Sequence, residues 1–403
     1  MHAGRRALDL LAELALAGAV GLVVLWLVGV LVPPAQVPFP GHGEAFAAMA
    51  ARPLSLDGEF PQRLLWPLLA WLAAGLGAGP AAFSQLCSAF LIAVVFWFAR
   101  RRIAAAGDAL LVAASVAVSG AVLVYQPMAC FSDPLSLASL VLLVHFAPRP
   151  RVFWPLVFVS ALAHELVFFF APWLVYLRRA HGGSLLRELG WLGGALGCYL
   201  LVRLPMQARY GALYYLDANF WVPWGLPAMW ALWAFVALIE FGPLLAVVVR
   251  AWRTGELARP QALGGRWGPW LYLLALLPLM VLAYDVMRFA AFLHLPLVFS
   301  ALALLGRPRG RALLGGLLAL QCATYLWLHP EPTEQGGRPF WIVTGHVNEL
   351  LGLLVERTPG GALSFTWQLL LRAWPLALAG AAAAAAVFSL GLWLARPRPA
   401  PRG

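Results

Sequence analysis

Arginines in pairs and triplets alternate with long apolar runs along this chain. That alternation restricts the fold more than any single motif does. Arg5-Arg6, Arg100-Arg101-Arg102, Arg149 with Arg151, Arg178-Arg179, and Arg307 with Arg309 and Arg311 all flank apolar stretches. Many of those stretches approach the length of a bilayer crossing, about 20 residues of helix. A backbone in hydrocarbon must satisfy its own hydrogen bonds, which favours helices. Charged residues make up 11% of the 403 and hydrophobic residues 62%, against roughly 25% charged in a soluble domain. The expected fold class is all-α: a polytopic transmembrane helical bundle of about 12 spans. One integral membrane domain covers residues 1–403, with no soluble module.

The net charge of +11 does not point to nucleic acid. The basic residues are all arginine and fall between apolar runs, which is the positive-inside pattern of a membrane protein. Arg5 and Arg6 precede an apolar run ending near Val32 that is too long for a signal-peptide core, so it reads as a retained signal-anchor. Cys87, Cys130, Cys198 and Cys322 are scattered, and their spacing supports neither a disulfide frame nor a zinc site. No internal repeat is visible, which argues weakly against a transporter built from two matching halves.

Keeping the arginine clusters on one side fixes the layout, with both termini cytoplasmic. Spans fall at 14–32, 82–99, 104–125, 134–147, 189–204, 226–250, 269–286, 289–305, 313–328 and 374–395. Two segments do not fit as simple crossings. Residues 64–79 would strand Arg100-Arg101-Arg102 outside if they crossed, so they read as a re-entrant or interfacial helix on the outer face. Residues 153–177 would do the same to Arg178 and Arg179, so two half-spans meeting near His164-Glu165 are expected. The outer segments are 33–81, 205–225 and 329–373; the second is rich in Tyr and Trp, and the third holds an amphipathic stretch at 347–356.

This layout gathers ionisable groups at the outer face. His42, Glu44, Asp57, Glu59 and Arg63 lie in the first outer segment, Asp133 heads a span, and His164-Glu165 sits at the hairpin tip. Asp285 and Arg288 lie at a further outer turn. Charges at membrane depth are costly and need a reason. Some have plain ones: Asp133-Pro134 is a helix-start signal, Asp285 and Arg288 are spaced for a local ion pair, and Arg63 suits an interface anchor. Glu240 stands alone in its span and reads as a structural or pathway residue. Taken together, the cluster suits an acid/base pair at a membrane boundary. A carboxylate can take a proton from a hydroxyl, and arginines can hold a phosphate.

At these residues the chain resembles the bacterial GT-C-type glycosyltransferases that use polyprenyl-phosphate-linked sugars. Their outer loop has the form Pro-Gly-Asp-Gly-x-x-Tyr-x-x-Met-Ala-x-x-Pro, followed by Pro-Phe-x-x-Arg-x-Leu-x-Pro-x-Leu-Ala. Here the first part runs from Pro40-Gly41-His42-Gly43-Glu44 through Phe46 and Met49-Ala50 to Pro53. The second part is Glu59-Phe60-Pro61-Gln62-Arg63-Leu64-Leu65-Trp66-Pro67-Leu68-Leu69-Ala70. Ser132-Asp133-Pro134, Ala163-His164-Glu165-Leu166 and Asp285-Val286-Met287-Arg288 look like the group's later polar signatures. The resemblance implies sugar transfer from a lipid phosphate to an acceptor at the outer face of the bacterial inner membrane. It assigns catalysis to Glu44, His42 and Asp57, and substrate or phosphate binding to Arg63, Arg288, Asp133, His164, Glu165 and Asp285. The expected base position holds His42 instead of aspartate, and the tyrosine position holds Phe46, so His42 or Glu44 would serve as base.

Two alternatives stay open at this point: a multispan transporter or lipid flippase, and a non-catalytic membrane protein with a degenerate transferase site. No cofactor is implied, although clustered carboxylates can bind a divalent metal. The expected partners are a lipid-linked sugar donor and membrane lipids.

Overall fold

In a computed structural model, the described residues are 2–39, 42–54, 63–210, 237, 240–282, 286–328 and 389. Among them every regular element is helical. Asp57, Asp285, the 347–356 stretch and, except for residue 389, the last expected span lie outside the described residues.

The first half of the chain runs α1 (His2–Leu31), α2 (His42–Ala51), α3 (Leu65–Gly75), α4 (Pro80–Arg100), α5 (Ala106–Ala117) and α6 (Gly120–Leu123). Then come α7 (Asp133–Phe146), α8 (Pro150–Ala163), a 3-10 turn (Glu165–Phe170), α9 (Ala171–Ala180) and α10 (Leu185–Tyr210). The remainder comprises α11 (Leu244–Arg253), α12 (Gly268–Leu282), α13 (Val286–Ala290), α14 (His294–Leu305) and α15 (Gly310–Leu328). Four stretches are long and apolar enough to cross a membrane: Ala7–Leu31, Pro80–Arg100, Leu185–Arg203 and Arg288–Leu305. Others, among them α5, α7 and α8, are shorter apolar helices.

Helices α1 and α4 run antiparallel. Glu13 pairs with Arg101 at one end, and further along Gly21 lies against Ala89. A β-carbon on Gly21 would fall 2.4 Å from the Ala89 carbonyl oxygen. Small residues permit this approach between apolar helices, where lipid offers no hydrophobic drive for association. Gly21→Val is therefore expected to cost about 1–3 kcal/mol by overpacking, read as a lower unfolding midpoint in detergent.

Charge pairs mark one end of the bundle. Besides Glu13–Arg101, Asp108 at the start of α5 accepts from Arg311 at the start of α15 at 2.6 and 3.0 Å. Glu256, just beyond α11, pairs with Arg307, just beyond α14. Arg102 lies 3.6 Å above the Phe98 ring and 6.0 Å from that of Phe299. Arginine clusters far apart in sequence thus share this arginine end.

Two segments turn back on themselves. Arg178, near the end of α9, donates to the carbonyl of Ala147, just before α8. It also pairs with Glu188 of α10 at 3.0 and 3.1 Å, and Glu188 accepts from Trp154 of α8 at 2.7 Å. The start of α8 and the end of α9 therefore meet, and the chain turns back at His164, whose backbone is extended (φ −162°, ψ 126°). Helix α3 has 11 residues, about 16 Å of helix. Trp66 in its first turn packs on Phe83 of α4 with ring centroids 5.4 Å apart, so the chain has come back to the end it left.

One expected crossing is not a single helix. The 104–125 segment is split into α5 and α6, with Ser119 capping the second piece by accepting from the Ala121 N–H at 3.3 Å.

Candidate functional site

At the end of the bundle opposite the arginine end, two buried ion pairs lie together. Arg63 lies two residues before α3, and Glu165 opens the 3-10 turn at the tip of the α8–α9 hairpin. Nε of Arg63 donates to Oε2 of Glu165 at 3.0 Å, and Nη2 donates to Oε1 at 2.7 Å. This is the two-bond fork that makes Arg–carboxylate contacts strong and directional. Arg288 of α13 donates from Nε and Nη2 to Oδ2 of Asp133 at 3.1 and 2.7 Å. Asp133 is 0% exposed, and Arg63, Glu165 and Arg288 are also buried.

His164 lies beside the first pair. Its Nδ1 lies 3.5 Å from Oε2 of Glu165 and accepts from the Leu166 N–H at 3.4 Å. Burial and then the Arg63 charge disfavour its imidazolium, so its pKa is pushed down to about 3 despite the Glu165 and Asp133 carboxylates. His164 is therefore neutral near pH 7. Burial alone would raise the Glu165 carboxyl, but the Arg63 charge and hydrogen bonds hold it well below the ordinary range. Burial opposes ionisation of Asp133 as well, and Arg288, with Arg63 behind it, lowers it on balance.

The sign of the linkage follows. A folded-state pKa below the unfolded value gives stability that is present at high pH and lost as pH falls. For His164 the loss starts near the ordinary value of about 6.5 and continues toward about 3; the carboxylates contribute only below about 4. Each such proton contributes a slope of about 1.4 kcal/mol per pH unit. His164→Gln is expected to remove one proton's share of the acid sensitivity between about pH 6 and 4.5, a window set by the same ordinary values. Unfolding midpoints across that range check it, and an unchanged slope in the variant would contradict it.

The polar opening of α2 is stitched to the same end. Ala35 N–H donates to the Gln126 carbonyl at 2.8 Å and Phe39 N–H to that of Ala129 at 3.2 Å. Phe39 packs on Phe131 with centroids 5.8 Å apart, and the Arg288 guanidinium lies 4.4 Å from the Phe131 ring centroid. Gly43 sits where a β-carbon would fall 2.7 Å from the Ala129 oxygen and 2.9 Å from Cβ of Phe39, which allows α2 to seat closely on the 126–131 turn. His42 and Glu44 occupy the first turn of α2, with Glu44 exposed. A carboxylate there is favoured by the helix dipole.

Of the residues singled out by sequence, Arg63, Asp133, His164, Glu165 and Arg288 come together. His42 and Glu44 begin a helix docked on the turn that leads into Asp133. Asp57 and Asp285 lie outside the described residues. Asp133-Pro134 does begin a helix, α7, and the Asp133 carboxylate also accepts from Arg288. Arg288 reaches that carboxylate 155 positions away, while the expected local pair with Asp285 lies outside the described residues. Arg63 is buried in a pair with Glu165 instead of snorkelling. Sequence reasoning missed Phe39, Tyr125 and Phe131. Tyr125 donates to the Arg288 carbonyl at 3.4 Å; its place beside a polar turn was the available signal. Oδ1 of Asp133 has no hydrogen-bond partner among the described residues. A buried acceptor left open inside a charged cluster marks a place where a ligand's donor can bind.

Compared with protein family models, curated proteins and solved structures, the chain matches none. Function therefore has to be drawn from the site itself. Among the described residues no group of three or more His, Cys, Asp or Glu is arranged to hold a metal ion.

Proposed function

We propose that this protein is a GT-C-like membrane glycosyltransferase, moving a sugar from a polyprenyl-phosphate donor to an acceptor at the outer face of a bacterial inner membrane. The observation that carries it is the convergence of Arg63–Glu165, Asp133–Arg288 and His164 at the end opposite the arginine clusters. By the positive-inside rule that end is the outer face. The finer layout belongs to the same proposal: about 12 spans, both termini cytoplasmic, α3 as an interfacial or re-entrant helix, and one membrane domain.

In the proposed step, an acceptor hydroxyl attacks the anomeric carbon. The new carbon–oxygen bond forms as the bond from that carbon to the lipid phosphate breaks. The phosphate leaves with the electron pair, and the hydroxyl proton passes to Glu44 or His42 as base. Asp57 belongs to the same outer segment and is assigned to that catalytic group. Arg63 and Arg288 hold the departing phosphate. Glu165 and Asp133 fix the two guanidinium groups in place beforehand, so little reorganisation accompanies the charge that develops. An apolar groove of about 280 Å³ between Arg52, Pro53, Leu54, Leu68 and Trp71 lies on the same α2–α3 unit and suits part of a lipid chain.

The test is turnover by the purified protein with polyprenyl-phosphate-linked hexoses and pentoses, following release of polyprenyl phosphate. Acceptor-dependent release that disappears in Arg288→Met supports the proposal. Release that persists in that folded variant would contradict it.

A further inference from the structure

A groove of about 480 Å³ opens at the arginine end, opposite the ion pairs above. Tyr176 of α9 forms one wall; Trp267, Trp270, Leu271 and Leu274 form the other. Trp267 directly precedes α12, and the next three follow it at i+3, i+4 and i+7, one stripe of a helix. Trp267, Trp270 and Leu274 are exposed. Seven residues at 1.5 Å each carry the stripe about 10 Å inward from the arginine end. An aromatic and aliphatic groove along a helix axis, running from the interface toward the bilayer core, suits a hydrocarbon chain.

The walls are fixed in advance. The linker between α11 and α12 is fastened to α9, since the Leu263 carbonyl accepts from Nε1 of Trp173 at 3.1 Å and the Tyr176 hydroxyl accepts from the Trp267 N–H at 3.3 Å. Gly264 takes φ +95°, and a β-carbon there would fall 3.1 Å from Cα of Leu177, so glycine lets the linker close on α9. Trp252 of α11 meets Trp270 edge-on, with centroids 4.6 Å apart.

Three exposed arginines adjoin these residues at the same end. Arg266 precedes Trp267, and its guanidinium carbon lies 5.5 Å from that ring centroid. Arg253 follows Trp252 and closes α11. Arg179 is one turn beyond Tyr176 on α9. The nearby carboxylate of Glu256 is buried and paired with Arg307. Helix α12 begins here with no acidic residue in its first turn, so its positive dipole end faces the same level. Positive charge at headgroup level above an apolar groove complements an anionic lipid.

We propose that the groove holds an acyl chain of an anionic glycerophospholipid of the cytoplasmic leaflet, with the lipid phosphate on Arg179, Arg253 and Arg266, independently of any transferase activity. The tryptophans mark the level at which chain gives way to headgroup.

The test is the thermal unfolding midpoint of the full-length protein in detergent, with dioleoyl phosphatidylglycerol, dioleoyl phosphatidylcholine or inorganic phosphate added. A saturable rise is expected at lower phosphatidylglycerol than phosphatidylcholine, with no rise from inorganic phosphate. Half-saturation by phosphatidylglycerol is expected to weaken about fivefold for each of the three arginines changed to glutamine. Trp270→Ala is expected to weaken both lipids alike. Equal half-saturation by the two lipids would overturn the proposal. So would a rise with inorganic phosphate alone, which would make this an anion site and not a lipid site. Changing Arg149, Arg151 and Arg187 to glutamine is expected to leave the preference intact; an equal loss there would assign it to diffuse charge and overturn the groove. If the groove variants fail to purify, native mass spectrometry of the wild-type protein decides. Retention of one phosphatidylglycerol over phosphatidylcholine supports the site, and equal retention overturns it.

Discussion

Glu165→Ala is expected to cost about 3–5 kcal/mol of stability, enough to prevent recovery of folded protein from mild detergent. Arg63 is 5% exposed and loses the carboxylate that accepts from both Nε and Nη2. What remains is a guanidinium buried without that partner, and desolvation makes that worse than having no charge at all. The double variant Arg63→Met with Glu165→Leu replaces both charges by apolar groups of similar length. It is expected to recover most of the stability, since removing a whole buried pair is often close to neutral. It should not recover turnover, because the group that holds the phosphate is gone. Unfolding midpoints of the two singles and the double measure the coupling directly. A double variant no more stable than Glu165→Ala would show that the pair is not what Glu165 contributes.

Replacing His42 and Glu44 by alanine together is expected to lower transfer by about 10²–10⁴-fold, the usual share of a general base. Stability should change little. Glu44 is exposed, and α2 is held by Gly43, Phe39 and the 126–131 turn instead. The single variants separate the two candidates: the one that reproduces the double's loss is the base. Undiminished transfer in a folded double variant would remove both from the step and leave Asp57 as the candidate of the outer segment.

Which features could be read from sequence follows from what each depends on. The reversal at His164 came from arginine placement, because Arg178 and Arg179 cannot be left on the wrong side cheaply. In the structure Arg178 does return to the Ala147 end. The identity of the site charges was also legible, since Asp133, Glu165 and Arg288 are conspicuous in apolar surroundings. Their partners were not. Asp133 and Arg288 are 155 positions apart, and their pairing depends on how α7 and α13 pack, which local spacing does not reveal. The split of α5 from α6 was hidden as well. Residues 110–125 read as one apolar run, interrupted only by Ser115 and Ser119-Gly120. The break makes sense only beside Glu240 and Gln321, which arrive from distant parts of the chain.

Binding of a long-chain polyprenyl phosphate is the chemistry common to every donor the proposed reaction could use, whatever the sugar. The most direct test is the thermal midpoint of the purified protein with increasing polyprenyl phosphate, beside the matching polyprenol. The account predicts a saturable rise with the phosphate, little with the alcohol, and loss of the difference in Arg63→Met with Glu165→Leu. Equal shifts with phosphate and alcohol, or none with either, would contradict a phosphate-binding site at these arginines.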